Sequence, residues 1–279
     1  VEFASDVLTL SVDGHVATLW LDREEARNAM GRAFWHDLPL AAAAVASEPS
    51  IRVLVLAAKG PHFTVGLDLK EFGGDFSAGS GPSSKASSGA LVNRRFYDMI
   101  RSMQDSVTSV AQLAIPVIAA VHGYCIGGGV DLISACDIRL GAGDAKFSVR
   151  EAKVAIVADI GTLQRLPKII GAGHVAELAF TGKDIDAARA ATIGLVNSVH
   201  GESSSDVLEA AYELAHEIAA NSPLAVQGTK AVLEANDGRT VNEGLEFVAR
   251  WNTMYAQSND AREAMMAFLE RRAPVFDGD

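Results

Sequence analysis

Three consecutive glycines at 127–129 stand between two runs of different periodicity. Upstream, "PVIAAVHG" is short and apolar, as a buried strand is; downstream, "LISACDI" reads as a helix. A helix that begins at Gly128 or Gly129 leaves free backbone N–H groups beside a surface without side chains. Such a surface suits an oxyanion or another anion. It also lets a strand and a helix pack closely, and for a lone glycine run the packing explanation comes first. Asp131, in the first turn, is favoured there by the helix dipole alone.

The same alternation of strand and helix runs through the first 200 residues and predicts an α/β fold. "VLTLSVDGHVATLWLD" alternates about Asp13-Gly14, a hairpin signal. Helix is predicted over 32–47 and 91–113, and strand over 51–58 and in "IPVIAAVHG". Residues 73–90, rich in Gly and Ser, read as a mobile loop within the domain. Beyond Ser203 the pattern is nearly all helix, over 203–220, 223–235, 240–256 and 259–272. The expected organisation is a mixed body over 1–200 and a helical region over 201–279. In the last helix Ala264, Met265, Phe268 and Leu269 form an apolar stripe. It packs either on its own core or on another subunit, and pattern does not separate the two.

Charge and short motifs exclude several classes. The formal net charge of −11, from 24 basic and 35 acidic residues, argues against nucleic acid and anionic membranes as partners. A local cluster of Arg and Lys remains compatible with an anionic ligand. No apolar run approaches the ~20 residues of a membrane span. The first residues lack the layout of a secretory signal, and "FDGD" is not a peroxisomal address. Cys125 and Cys136 lie in apolar context and are expected as free thiols, so a cytoplasmic location is expected. The seven histidines have no ligand spacing, so no metal is expected. "IIGAGHVAELA" fits a dinucleotide fingerprint, but the preceding "TLQRLPKI" is not a strand, and a nicotinamide oxidoreductase is disfavoured.

Carboxylates are the remaining chemistry. In "HFTVGLDLKEF", Gly66 breaks an apolar stretch just before Leu67-Asp68 and offers a second free N–H. In "FSVREAKVAIVADIGTLQRLPKIIG", Asp159 sits among Val154, Ala155, Ile156, Val157, Ala158 and Ile160. Such neighbours strip its solvation and raise its pKa. Taken alone, Asp159 is better explained as the N-cap of the helix that follows, and Glu151 as a surface charge beside Arg150 and Lys153.

The order of "EEARNAM", "HFTVGLDLKEF", "PVIAAVHGYCIGGGVDLISACDIRL", "FSVREAKVAIVADIGTLQRLPKIIG" and "FTGKDIDAARAATIGLVNSV" resembles the crotonase (enoyl-CoA hydratase/isomerase) superfamily, over about residues 8–275. The resemblance implies a crotonase-like spiral of ββα repeats with a C-terminal helical trimerisation region. It also implies a trimer or a dimer of trimers, and an acyl-CoA thioester as substrate. Coenzyme A is then part of the substrate, and no separate cofactor is expected. The family's oxyanion hole maps onto the backbone N–H groups of Leu67 and Gly128.

Within the superfamily, hydratases carry Glu at the positions of Asp131 and Glu151 and glycine at that of Asp159. The Δ3,5-Δ2,4-dienoyl-CoA isomerases resemble this sequence instead, with all three acids. That likeness implies a proton shift from C2 to C6, with Glu151 as base, Asp159 as acid, and Asp131 ionised and orienting the diene. The family's contacts to the thioester and CoA map onto Arg23, Arg27, Ala29, Gly66, Asp68, Lys70, Gly127 and Phe268. One departure is Asp277, near a position where many hydratases have a CoA-binding Lys. Hydration of a 2-enoyl-CoA is the alternative activity; a non-enzymatic acyl-CoA- or RNA-binding relative is disfavoured by the intact acids and the acidic charge.

Overall fold

The computed structural model describes residues 3–77 and 89–279, and for 74–77 the backbone alone. The chain opens with β1 (Phe3–Ala4), β2 (Leu8–Asp13) and β3 (Val16–Leu21). The β2–β3 hairpin turns where expected, with Asp13 paired to Val16 and Gly14 at φ 55°. Helix α1 (Arg32–Ala46) buries Phe34, Trp35, Leu38, Ala41, Ala42 and Val45, the helical stripe that its sequence dictates. Then come β4 (Val53–Ala58), α2 (Leu69–Ser77), α3 (Gly89–Ala111), β5 (Val117–Val121), β6 (Tyr124–Ile126) and α4 (Gly128–Ser134). They are followed by β7 (Ile138–Gly141), β8 (Lys146–Ser148), a 3-10 turn at Glu151–Val154, α5 (Thr162–Ile169) and α6 (Ala172–Thr181). β9 (Ile185–Asp186), α7 (Ala187–Thr192) and β10 (Ser198–Val199) precede four helices, α8 (Ser204–Ala219), α9 (Pro223–Ala235), α10 (Val241–Tyr255) and α11 (Asn259–Glu270).

Among the described residues the strands form two sheets, ordered β1-β2-β3-β4-β5-β7-β10 and β6-β8-β9. β5 and β6 belong to different sheets and lead into α4; β7 and β8 do the same and lead through the 3-10 turn to α5. Isolated bridges, Met30 to Leu67 and Thr64 to Cys125, supply the second-sheet element for the earlier turns. This is a ββα spiral, as the resemblance implies. Its turns share geometry without sharing sequence. One consequence governs the site: residues 64–67, 125–128 and 148–151, far apart in sequence, come side by side.

The parallel part of the large sheet is buried on both faces, which its continuous apolar strands require. Leu54 and Leu56 face the main core, while Val53, Val55 and Ala57 face α8. The buried side of α8 is Val207, Ala211, Ala215 and Ala219, small enough to lie close on the strands. The first helix beyond residue 200 thus closes the sheet's second face. α9 is tied to the body by the buried Lys230, whose Nζ donates to Ile115 O at 3.0 Å and Asp137 Oδ2 at 2.8 Å.

One expectation changes, and one alternative left open is decided. The segment read as loop over 73–90 is helical at 73–77 and again from Gly89, while 78–88 lie outside the described residues. Asp68 explains the first part: its Oδ1 accepts the N–H groups of Lys70 and Glu71, at 3.0 and 3.4 Å, and starts α2. The buried Phe72 anchors that turn, and glycine costs a running helix only about 1 kcal/mol. The open alternative concerns α11, which buries Ala267; Met265, Phe268 and Leu269 are exposed. The stripe therefore does not pack on the chain's own core.

Candidate active site

Two backbone segments meet at one end of the spiral. Gly66 O accepts the Met30 N–H at 2.8 Å, and Asp68 N–H donates to Met30 O at 3.1 Å, so both face Met30. By alternation along an extended strand the N–H of Leu67 points the other way. It donates to no group among the described residues. Thr64 holds this stretch from behind, with Oγ1 donating to Asn28 O at 2.6 Å and accepting the Gly66 N–H at 3.1 Å. A Cβ on Gly66 would stand 2.6 Å from Ile126 O and 3.5 Å from Gly128 N, so no side chain fits between the two segments.

The glycine run meets three separate demands. Gly127 caps α4 at φ 54° and ψ −117°, a conformation reserved for glycine. Gly128, the first helical residue, has an N–H that no earlier turn can accept. A Cβ there would meet Met30 Sδ at 2.9 Å, and one on Gly129 would meet Thr64 Cγ2 at 2.5 Å. Close packing and an open helix N-terminus, which compete in the sequence, are both present.

A cavity of about 140 Å³ lies against these amides. Leu67, Gly66, Gly127, Gly128, Asp131, Glu151 and Asp159 line it, and Met99, Ile100 and Met103 of α3 supply an apolar wall. A larger cleft of about 680 Å³ lies among α9, α10 and α11. The buried carboxylate there, Asp260, is already engaged by Ser222 Oγ and the N–H groups of Asp277 and Gly278. Size alone does not make that cleft reactive.

The three acids differ in their surroundings. Asp131 is 1% exposed, and its Oδ1 accepts the Thr162 N–H at 2.6 Å. Burial pushes its pKa up to about 6; the hydrogen bond from Thr162 resists that rise, the Asp159 charge adds to it and the Arg165 charge opposes it. Glu151 is pushed up to about 7, by burial first and then by the Asp131 and Asp159 charges. Its Oε2 is buried with no hydrogen-bond partner, the position of a carboxylate kept free for a ligand. Asp159 is raised by burial.

Several sequence-based assignments are corrected. Asp159 is not a helix cap: Gly161 is the N-cap of α5, and the side chain that reaches the helix is Asp131. The apolar string about Asp159 shelters it only in part: Val154 and Val157 are 46% and 73% exposed, while Val154, Ile156 and Ile160 line the cavity beside it. Its burial comes from the cavity walls. Glu151 is no surface charge; Arg150 pairs with Asp184 and leaves it turned inward.

Of the residues expected around the thioester and CoA, Gly66 and Gly127 line this cavity and the others do not. Arg23 Nη1 donates to Asp68 Oδ2 at 3.0 Å and lies 3.5 Å from Glu71, so Arg23 and Asp68 are spent on each other and on starting α2. Ala29 lies beside them, its carbonyl 3.4 Å from Arg23 Nη1. Arg27 (φ 54°) and Lys70 are exposed near the mouth segments, and Phe268 lies on α11, 80% exposed. Asp277 is held at Asp260. Sequence reasoning missed Asn28, which adopts φ 54° and donates to Lys59 O and His62 O, each at 2.9 Å. An Asn between turn residues was the available signal, because Asn tolerates that conformation.

The sequence profile of the enoyl-CoA hydratase/isomerase family matches residues 12–279. A protein of Arabidopsis thaliana named Δ(3,5)-Δ(2,4)-dienoyl-CoA isomerase, peroxisomal, is 40% identical over 97% of this chain and 96% of its own length. One of Dictyostelium discoideum with the same name, mitochondrial, is 41% identical over 94% of this chain and 87% of its own. The crystal structure of an enoyl-CoA hydratase from Bacillus anthracis superposes with a TM-score of 0.87 at 29% identity, covering 98% of this chain and all of that one. The relatives' names place them in peroxisomes and mitochondria, which overturns the expectation of a cytoplasmic location.

Proposed function

This chain belongs to the enoyl-CoA hydratase/isomerase family, and from that premise we propose that it isomerises a 3,5-dienoyl-CoA to the 2,4-dienoyl-CoA. The observation that carries the reading is the third acid. Asp159 lines the same cavity as Glu151, Asp131 and the amides of Leu67 and Gly128, and capping does not occupy it.

The thioester oxygen is bound by the Leu67 and Gly128 N–H groups. The Glu151 carboxylate removes a proton from C2, and the electron pair delocalises through C1 onto that oxygen and, through the C3=C4 and C5=C6 bonds, out to C6. A donor pair placed there lowers the enolate's energy; one such donor contributes about 3 kcal/mol. Asp159, protonated, delivers a proton to C6, leaving double bonds at C2=C3 and C4=C5. One cycle leaves Glu151 protonated and Asp159 ionised, so a proton passes back between them before the next. Glu151 near pH 7 is poised to act as a base at neutral pH. Asp131, pinned by Thr162, raises the basicity of Glu151 through its charge. The three titrate as a coupled set.

CoA enters as part of the substrate, with no separate cofactor. Arg27 and Lys70, exposed cations whose backbone borders the lining residues Val65 and Leu69, are candidates for its phosphates. The exposed apolar side chains of α11 support a homo-oligomer, and the family resemblance a trimer or a dimer of trimers. The test is direct: a 3,5-dienoyl-CoA is offered, and the ultraviolet absorption of the conjugated product is followed. No absorption gain, with turnover of a 2-enoyl-CoA by hydration instead, would overturn the proposal.

A further inference from the structure

We propose that Gln104, on α3, is a positioning residue that places Asp159 for protonation at C6. The inference rests on the reading of Asp159 as the C6 acid. Gln104 Nε2 donates to the main-chain carbonyl of Asp159 at 2.5 Å, and Gln104 Oε1 accepts from Arg101 Nη1 at 2.6 Å. One turn along the same face of α3, Thr108 Oγ1 accepts from Arg165 Nη2 at 3.0 Å, while Arg165 Nη1 donates to Ile160 O at 3.4 Å. That face grips the segment 159–165 at both ends.

The segment depends on the grip. Its first part, 159–161, lies between the 3-10 turn and α5, outside regular structure, and Val157 near it is largely exposed. Asp131 is fixed through its own carboxylate, by Thr162. The carboxylate of Asp159 has no hydrogen-bond partner in another residue among the described ones, so its place follows from its backbone. Gln104 holds that backbone. Glu151 stands on the turn and owes nothing to α3. Loss of the Gln104 donor therefore disturbs delivery at C6 and leaves removal at C2 intact.

Gln104→Leu removes the donor and leaves an apolar side chain in its place. In D₂O with a 3,5-dienoyl-CoA, two rates are read: deuterium entry at C2 and growth of the 2,4-diene absorption. Expected are exchange within about twofold of the parent and diene formation down by about tenfold or more, with KM held, since small misplacements of a reacting group carry such factors. Gln104→Lys, which restores a donor of similar reach, recovers diene formation. In an Asp159→Asn background, Gln104→Leu has no further effect, because the two act as one unit. If both rates fall together, or neither falls, in a Gln104→Leu protein of parental Tm, the inference is overturned. Should that variant fail to fold, Gln104→Glu decides: a carboxylate cannot donate, and a parental diene rate in it refutes the role. Asp159→Asn alone separates the failures. A parental diene rate there removes the acid itself, whereas a split there with none in Gln104→Leu removes only Gln104.

Discussion

Glu151 lies so close to Gly127 that a Cβ on that glycine would stand 3.3 Å from Oε1. The carboxylate therefore borders the N-terminus of α4, whose dipole favours its charged form. Burial and the neighbouring acids outweigh that help and hold its pKa at about 7.

An activity profile follows from this balance. kcat/KM is expected to fall as pH drops through about 7, the value to which Glu151 is raised, because the base must be ionised. Asp131→Asn keeps an acceptor for Thr162 but removes a like charge, so the acidic limb moves to lower pH. A limb that stays in place would show that Asp131 does not act on Glu151 electrostatically. Stability runs in the opposite sense. A carboxyl raised on folding contributes most below its unfolded pKa, and that contribution is lost as pH rises through the folded one. Glu151→Gln therefore raises Tm at pH 8, by a gain that shrinks toward pH 5, in thermal melts.

The acids separate by isotope. Glu151→Gln should lower kcat by the ~10²–10⁴ ascribed to general acid–base groups, and abolish exchange at C2. Asp159→Asn should still exchange C2 with deuterated solvent while forming little diene. Wild-type diene formation in Asp159→Asn would leave hydration as the better activity.

How much of this was legible in the sequence depends on how local each cause is. The hairpin at Asp13-Gly14, the tail helices and the glycine junction follow from neighbours in sequence, and they match within a residue or two. The cap of α5 does not, because its carboxylate arrives from Asp131, 31 residues away. Asp159 attracted the capping role only because it is the nearest acid along the chain. Glu151 looked superficial beside Arg150 and Lys153 for the same reason; its inward turn is set by the spiral. Arg23 and Asp68 read as ligand contacts, yet the pairing of distant loops spends them on each other.

Gly128 makes a prediction of its own. An added Cβ points at Met30 Sδ, and at Trp35 Cη2 at 3.6 Å, so it enters the protein and not the cavity. Gly128→Val should push the first turn of α4 off these side chains and misdirect its N–H, at a cost of about 100-fold in kcat. Met30→Ala in the same chain removes the obstacle and should return part of the loss. A double variant no faster than Gly128→Val would mean that the damage arises elsewhere.

Assembly tests the exposed side of α11. Phe268→Glu places a charge on a face where Met265 and Leu269 are also exposed. Light scattering should find the parent oligomeric and the variant shifted toward the monomer. A parent that is monomeric at micromolar concentration would remove the trimer from the proposal.

The bond from the Thr162 amide to Asp131 makes that amide a spectroscopic indicator. Its proton points at a carboxylate raised to about 6, whose charge acts on Glu151. Protonating Asp131 weakens the bond and frees the first turn of α5, so ionisation in the cavity and fraying of the helix become one equilibrium. The Thr162 amide resonance should move with pH through about 6 and lose that movement in Asp131→Asn. An enzyme of this design can be watched titrating from a backbone position, with no substrate present.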